Sequence, residues 1–324
     1  MTRDNTQIYN TYVRANLPAG MTYSRSKARY TTNEENFASY SEAESYQNYI
    51  SKNGYTTDFV MEVLISNDGD SFTIPCRDIG TFNAVIDWGD GSTDTITTFD
   101  AAALQHTYAT AGTKTIKVSG TFTNIQFGNG GDKSKVLGVM NLGIVGWENL
   151  KNAFYGCNNM DVFIAGATNT DSVDETVGML RNCSTLGFTQ LTTFNTTTCT
   201  NFQNMFKGCG NLKFLDLSSF NTGLSIDFSS MFEGCSNLTD INGVEWFDIQ
   251  SLNGPNDLND FMTDVTIPTA RYDDLLINWD AQAVTNGQTV NFGGSTYTGG
   301  GAAAAARASL IAGDGWVITD GGIA

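Results

Sequence analysis

The sequence predicts a mainly β fold with some α structure, and three observations carry that prediction. Charged residues make up only 16% of the 324 residues, whereas about 25% is usual. Glycine occupies 34 positions, which favours turns and strands over long surface helices. Four cysteines recur at equal intervals, as expected for stacked repeats. The length allows about two domains at roughly 150 residues each, and we divide the chain into segments 1–57, 58–125, 126–254 and 255–324.

Net charge and histidine content narrow the classes of function. The formal charge is -17 and the isoelectric point is about 4.2, which disfavours binding to nucleic acid or to anionic lipid. The sequence lacks a run of 18 apolar residues, so we expect no membrane insertion. The single histidine, His106, disfavours zinc sites and nucleophile–base pairs. We therefore expect a binding or structural protein without a cofactor, while an enzyme with two paired carboxylates remains an alternative.

Residues 1–57 differ from the rest in charge and in tyrosine content. They carry six basic and five acidic residues and hold eight of the twelve tyrosines, whereas the remaining residues carry a charge of -18. Tyrosine and arginine are enriched at interfaces, so one interpretation is an attachment arm that becomes ordered on a partner. The other is a solvated tail with a short helix near 42–50. The attachment residues that we predict are Tyr9, Tyr12, Arg14, Tyr23, Arg25 and Tyr30.

Segment 58–125 contains strand-like runs around a turn motif. The run Phe59–Ile65 is followed by the turn Trp88-Gly89-Asp90-Gly91, by His106-Thr107-Tyr108 and by the strand Lys114–Val118. This order resembles the PKD (polycystic kidney disease) domain over about residues 59–122. The resemblance implies an immunoglobulin-like β-sandwich of the kind found in surface and adhesive proteins, with His106 in a structural position.

Three carboxylates near this turn allow two interpretations. Asp87, Asp90 and Asp94 lie close together in the sequence, and carboxylate oxygens are the ligands that Ca²⁺ prefers. Asp-Gly turns also use such carboxylates themselves, as acceptors for nearby backbone amides. The sequence leaves both a Ca²⁺ site and a self-sufficient turn open.

Segment 126–254 is a repeat with a 26-residue period. A period in the range typical of leucine-rich repeats, with recurring leucine, predicts a solenoid whose units bury their apolar faces only against each other. Each copy approximates Met-Phe-x-Gly-Cys-x-x-Leu, followed in the best copy by Leu215-Asp216-Leu217-Ser218-Ser219-Phe220-Asn221-Thr222. The segment resembles the BspA-like leucine-rich repeat over about residues 137–250. The repeat cysteines are Cys157, Cys183, Cys209 and Cys235.

The repeat predicts a short strand, an opposite wall and a presenting face. Met231, Phe232 and Cys235 are expected to close the wall at near-helical spacing. The cysteines are expected to stack as a buried ladder, with disulfides between neighbouring rungs as the alternative. Exposed polar positions near the strand of the best copy are the predicted binding residues: Lys213, Asp216, Ser218 and Ser219.

Segment 255–324 is expected to close the repeat as an α/β cap. We predict an atypical turn at 257–268, helices at about 268–282 and 302–312, and a last strand at 316–319.

The two resemblances imply adhesion to a glycan or a protein on a host surface. The sequence as given begins without a recognisable export signal, so we expect a bacteriophage virion protein, namely a tail-fibre, baseplate or capsid-surface adhesin. Its arm would contact other virion proteins, and the chain is expected to be a homo-oligomer or multicopy in an assembly. The alternative is a bacterial cell-surface adhesin of the BspA-like type.

Overall fold

The computed structural model describes residues 57–324 and, before them, the backbone of three short strands. These strands form one antiparallel sheet in chain order, in which Tyr23 pairs with Tyr30. Their bounds are β1 (Thr22–Ser24), β2 (Arg29–Thr31) and β3 (Asn36–Phe37). The predicted attachment residues Tyr9, Tyr12, Arg14 and Arg25 lie outside the described residues, as do the side chains of Tyr23 and Tyr30.

Segment 58–125 forms antiparallel strands, and β6 shows most clearly how such a strand buries one face. In β6, Phe82, Ala84 and Ile86 alternate with exposed residues, which is the period of a half-buried strand. The long β9 pairs with β4 on one side and with β6 on the other, while β5 and β8 form a separate pair. The strands are β4 (Phe59–Ile65), β5 (Ser71–Thr73), β6 (Phe82–Asp87), β7 (Thr93–Ile96), β8 (Gln105–Thr107) and β9 (Gly112–Phe122).

Strand β10 (Val136–Asn141) joins the antiparallel strands to the repeats. It pairs antiparallel with β4 and parallel with β11, so one seven-stranded sheet runs in the order β12-β11-β10-β4-β9-β6-β7. The sheet therefore crosses the predicted boundary between residues 125 and 126. Beneath the joint, the Trp147 ring contacts Phe59 and Phe122 edge-on, at centroid distances of 5.4 and 5.7 Å.

The repeats form a parallel ladder with the period that the sequence shows. Each strand starts one full period after the strand before it, and β13 and β14 form a second, two-stranded sheet. Outside the strands, threonine hydroxyls add further hydrogen bonds between neighbouring rungs. The Thr196 hydroxyl accepts from the backbone N–H of Asn221 at 2.7 Å and donates to the carbonyl of the same residue at 2.9 Å. The strands are β11 (Val162–Ile164), β12 (Phe188–Gln190), β13 (Phe214–Asp216) and β14 (Asp240–Asn242).

The wall opposite the strands consists of consecutive turns. The prediction that the wall residues follow a near-helical spacing is wrong in detail. Asn204 and Ser230 adopt positive φ angles of 59° and 55°, which interrupt any helix. Backbone hydrogen bonds run instead from rung to rung, such as Phe206 N–H to the Met231 carbonyl at 3.0 Å. The predicted inward positions Met231, Phe232 and Cys235 are buried nevertheless.

The repeat cysteines form a buried ladder of free thiols. From the second repeat cysteine onward, each thiol donates to a backbone carbonyl of the preceding rung, as Cys183 does to Phe154 at 3.2 Å and Cys235 to Phe206 at 3.0 Å. All six cysteines of the chain are free, so the structure contains the packed ladder rather than the disulfide alternative. Burial raises the pKa of Cys235 to about 12, which keeps its thiol protonated at neutral pH.

The last segment continues the ladder and then covers its end. Phe232 N–H bonds to the Phe261 carbonyl at 2.9 Å, which adds a further turn at the predicted closing position. The two predicted helices are found as α1 (Thr269–Asp280) and α2 (Ala302–Ala312). Parallel pairs complete the segment: β15 (Thr289–Asn291) with β17 (Val317–Thr319), and β16 (Thr296–Tyr297) with β18 (Gly322–Ile323). The described chain is mainly β, as predicted.

Candidate functional site

The turn after β6 uses its three aspartates separately. Asp87 accepts from the backbone N–H of Gly89 at 2.9 Å, and Asp94 accepts from the indole N–H of Trp88 at 2.8 Å. Asp90 accepts from the backbone N–H of Ser92 at 3.0 Å and from the Ser92 hydroxyl at 2.5 Å. Of the two interpretations of this turn, the structure contains the self-sufficient one.

The structure does not bring Asp87, Asp90 and Asp94 together as the predicted Ca²⁺ site requires. Ca²⁺ needs six to eight oxygens around one point, whereas Asp87, Asp90 and Asp94 each face a different local donor. Among the residues that the structure describes, no group of three or more histidine, cysteine, aspartate or glutamate side chains has the arrangement of a metal site.

His106 lies against this turn and is packed and hydrogen-bonded. Its ring stacks on Trp88 at a centroid distance of 5.0 Å, and 17% of its side chain is exposed. The same atom, Nε2, lies 2.8 Å from Asp90 and 3.3 Å from the Ser92 hydroxyl. A catalytic relay needs one ring nitrogen for the nucleophile and the other for the acid. Ser92, His106 and Asp90 do not have that arrangement.

The repeat face keeps three of its four predicted binding residues exposed. Ser218 and Ser219 lie together on the turn after β13, whereas Lys213 precedes the strand at its other end. The prediction for Asp216 is wrong, because only 5% of this residue is exposed. Its carboxylate turns inward to accept from the Ser218 hydroxyl at 2.7 Å and from the Asn242 amide at 3.0 Å.

The exposed serines belong to a longer row of hydroxyl groups. Thr192 and Thr193 occupy the same positions one rung earlier and are also exposed. We call these four residues, Thr192, Thr193, Ser218 and Ser219, the hydroxyl ridge. On the next rung, the corresponding turn carries Trp246, which is 69% exposed.

Sequence reasoning missed Thr192, Thr193 and Trp246. The phase of the repeat was a sufficient signal for the two threonines, since they align with Ser218 and Ser219. For Trp246, the signal is a change of phase. The pair Phe220-Asn221 recurs as Phe247-Asp248, one position later than the period requires, so this turn contains one additional residue.

Comparison with known proteins finds one protein family whose model matches the repeats. The family described as "Mycoplasma protein of unknown function, DUF285" matches residues 148–257. The matched residues are those of the ladder, and the match is consistent with BspA-like repeats. No curated protein and no protein of solved structure matches the chain. In the described part of the chain, neither helix combines the length and the apolarity needed to cross a membrane.

Proposed function

We propose that the chain is a non-enzymatic surface adhesin that presents an immunoglobulin-like β-sandwich and a leucine-rich-repeat solenoid to a glycan or a protein on a host surface. The observation that carries this proposal is the ladder with its exposed hydroxyl ridge. Hydrogen bonds join each rung to the next, so the ridge is held rigidly enough to recognise a repeating partner. Fold alone does not fix function, and this step is an analogy supported by the family match over 148–257.

The family match favours the surface of a bacterial cell as the setting. A second candidate is a bacteriophage virion, favoured by the composition of residues 1–57, which hold eight tyrosines at a charge of +1. In that setting the arm would contact other virion structural proteins and the ladder would face the host. Antibodies raised against the purified chain distinguish the two by immunogold microscopy, since gold on intact cells supports the first candidate and gold on phage particles supports the second.

Binding is tested with the full-length chain. Fluorescently labelled protein is incubated with candidate host cells, and we expect saturable binding that unlabelled protein displaces. Non-saturable binding to every surface tested would contradict the proposal.

Mass spectrometry of any bound glycan tests the proposal that the chain is not an enzyme. We expect to recover the glycan with unchanged mass, whereas cleavage would support the paired-carboxylate enzyme.

A further inference from the structure

Trp246 stands out among the tryptophans of the chain. The other four, Trp88, Trp147, Trp279 and Trp316, are at most 2% exposed, whereas Trp246 is 69% exposed. Single exposed hydrophobic residues are ordinary on protein surfaces, so exposure alone does not indicate function. What distinguishes Trp246 is how the chain places it.

One additional residue displaces Trp246 from the ladder. On the earlier rung, Asn221 N–H bonds to the Thr196 hydroxyl, 25 residues before it. On the next rung, Asp248 N–H bonds to the Thr222 hydroxyl, 26 residues before it. The strand register is unchanged at β14, so the additional residue lies in the turn between β14 and Asp248. Phe247 keeps the buried position that the phase requires, and Trp246 projects into solvent from a short 3-10 helix, Val244–Trp246.

A partly buried ion pair holds this turn. The Glu245 carboxylate is paired with the Arg271 guanidinium of α1 and also accepts from Gly243 N–H at 3.1 Å. Arg271 is fixed in turn by Asp240, at 2.6 Å. Gly243 has a φ of 92°, and a β-carbon there would lie 2.6 Å from the backbone nitrogen of Ser218. The turn is therefore held in place beside the ridge. Because the turn is already ordered, a ligand that binds Trp246 would spend little binding free energy on ordering it.

The hydroxyl ridge presents mainly hydrogen-bond acceptors. Three of its hydroxyls donate their hydrogens to the protein: Thr193 to the Gly166 carbonyl at 2.6 Å, Ser218 to Asp216 at 2.7 Å and Ser219 to the Leu191 carbonyl at 3.4 Å. A hydroxyl that donates in this way keeps lone pairs that can accept from a ligand. The ridge therefore fits a partner that is rich in hydroxyl donors.

From this arrangement we infer that Trp246 and the hydroxyl ridge together bind a neutral oligosaccharide, an inference that rests on the proposed adhesin function. A sugar ring has an apolar face for the indole and hydroxyls for the ridge. An apolar peptide would leave the ridge acceptors without partners, which is unfavourable when they are desolvated. An anionic glycan would approach a chain of net charge -17.

The test uses the full-length chain on an array of neutral, sialylated and sulfated oligosaccharides. A neutral oligosaccharide bound by the unmodified protein is then titrated against Trp246→Ala, Trp246→Phe and the control Leu224→Ala, whose side chain is 55% exposed. We expect Trp246→Ala to weaken binding about tenfold or more, which corresponds to about 1.4 kcal/mol. Trp246→Phe should retain part of the affinity, and Leu224→Ala should match the unmodified protein. Since the other tryptophans are buried, acrylamide quenching reports on Trp246, and bound sugar should protect it.

Four outcomes would overturn the inference. They also show whether the inference fails alone or together with the proposed adhesin function. Equal affinity of Trp246→Ala, in a variant with an unchanged melting temperature, excludes the indole as a contact. Binding only to sialylated or sulfated sugars excludes the neutral class. An empty array with saturable cell binding that survives glycosidase treatment overturns the sugar inference and keeps the adhesin with a protein partner. The absence of both array and cell binding overturns the function as well.

Discussion

The antiparallel strands β4–β9 and the repeat ladder solve the same problem of burying a sheet face in different ways. In the antiparallel region, β4 and β9 pair along the whole of β4 although β5 to β8 lie between them in the chain. In the ladder, the turn wall is joined by hydrogen bonds between residues that lie about one period apart. The difference teaches that a repeat encodes its spatial neighbours in its period, whereas an antiparallel sheet does not.

The largest expected effect is the loss of stability caused by a cavity in the ladder. It tests whether the destabilisation stays local to the ladder or spreads to the antiparallel strands. Phe206 is fully buried and stacks on Phe232 of the next rung at 5.8 Å. Phe206→Ala should lower the free energy of unfolding by about 3–5 kcal/mol, through lost burial and the cavity that remains. Since each rung contacts only its neighbours, hydrogen exchange should accelerate most in the adjacent rungs. Leu224→Ala, at an exposed site, should change stability by less than about 0.5 kcal/mol. Equal acceleration throughout β4–β9 would contradict the comparison.

The joint between the two regions can be tested with two glycines of matched backbone geometry. Gly143 and Gly146 have φ angles of 72° and 83°, so alanine is strained at both by about 1–2 kcal/mol. Only at Gly143 would the added β-carbon meet backbone, 2.3 Å from the carbonyl carbon of Asp58. Gly143→Ala should therefore lose a further ~1–3 kcal/mol, measured by denaturant unfolding. Equal losses for the two variants would show that the contact with the start of β4 is unimportant.

Thiol labelling compares the two regions without substitution. Cys76, in the antiparallel region, is half-buried, whereas the four ladder cysteines are buried. Burial raises the pKa of Cys76 to about 12 and that of Cys209 well above its usual value, so both should react slowly. With a thiol reagent at mildly alkaline pH, we expect Cys76 to be modified first and all six thiols to react once the chain is unfolded. A count below six in denaturant would indicate the cross-rung disulfides.

The smallest expected effect is the pH dependence that Asp90 contributes in the antiparallel region. The hydrogen bond from the Ser92 hydroxyl, aided by His106 and opposed by burial, lowers the pKa of Asp90 from 3.8 to about 2. Because the folded value is the lower one, this group stabilises the fold above about pH 4, and the contribution is lost as the pH falls towards about 2. The effect should stay below about 1 kcal/mol at so exposed a site. Asp90→Asn should reduce the acid dependence of unfolding, and an unchanged profile would contradict the assignment.

The sequence predicted the periodic parts of the molecule best. The spacing of Cys157, Cys183, Cys209 and Cys235 predicted a buried ladder because identical environments recur at one phase. The α2 helix was predicted at its observed bounds because a run of alanine with glycine beyond it leaves few alternatives.

Other features depended on contacts that no local pattern reveals. Asp216 lies two residues before the exposed Ser218, yet its carboxylate is buried and accepts from the amide of Asn242 on the next rung. The pairing of β10 with β4 joins strands that are far apart in the chain, so the junction between segments could not be read from either segment alone. Asp87, Asp90 and Asp94 fit a metal site by type and spacing, but the donors that occupy them are set by the folded turn.

Strand β10 also has a mechanical consequence. Tension applied between the ladder and the antiparallel strands would pass through the hydrogen bonds on both edges of β10. The two edges are loaded one after the other, and because they belong to one continuous sheet, the two regions should bend together rather than swivel about a single-chain linker. A rigid coupling of this kind would keep the hydroxyl ridge at a constant angle to the antiparallel strands.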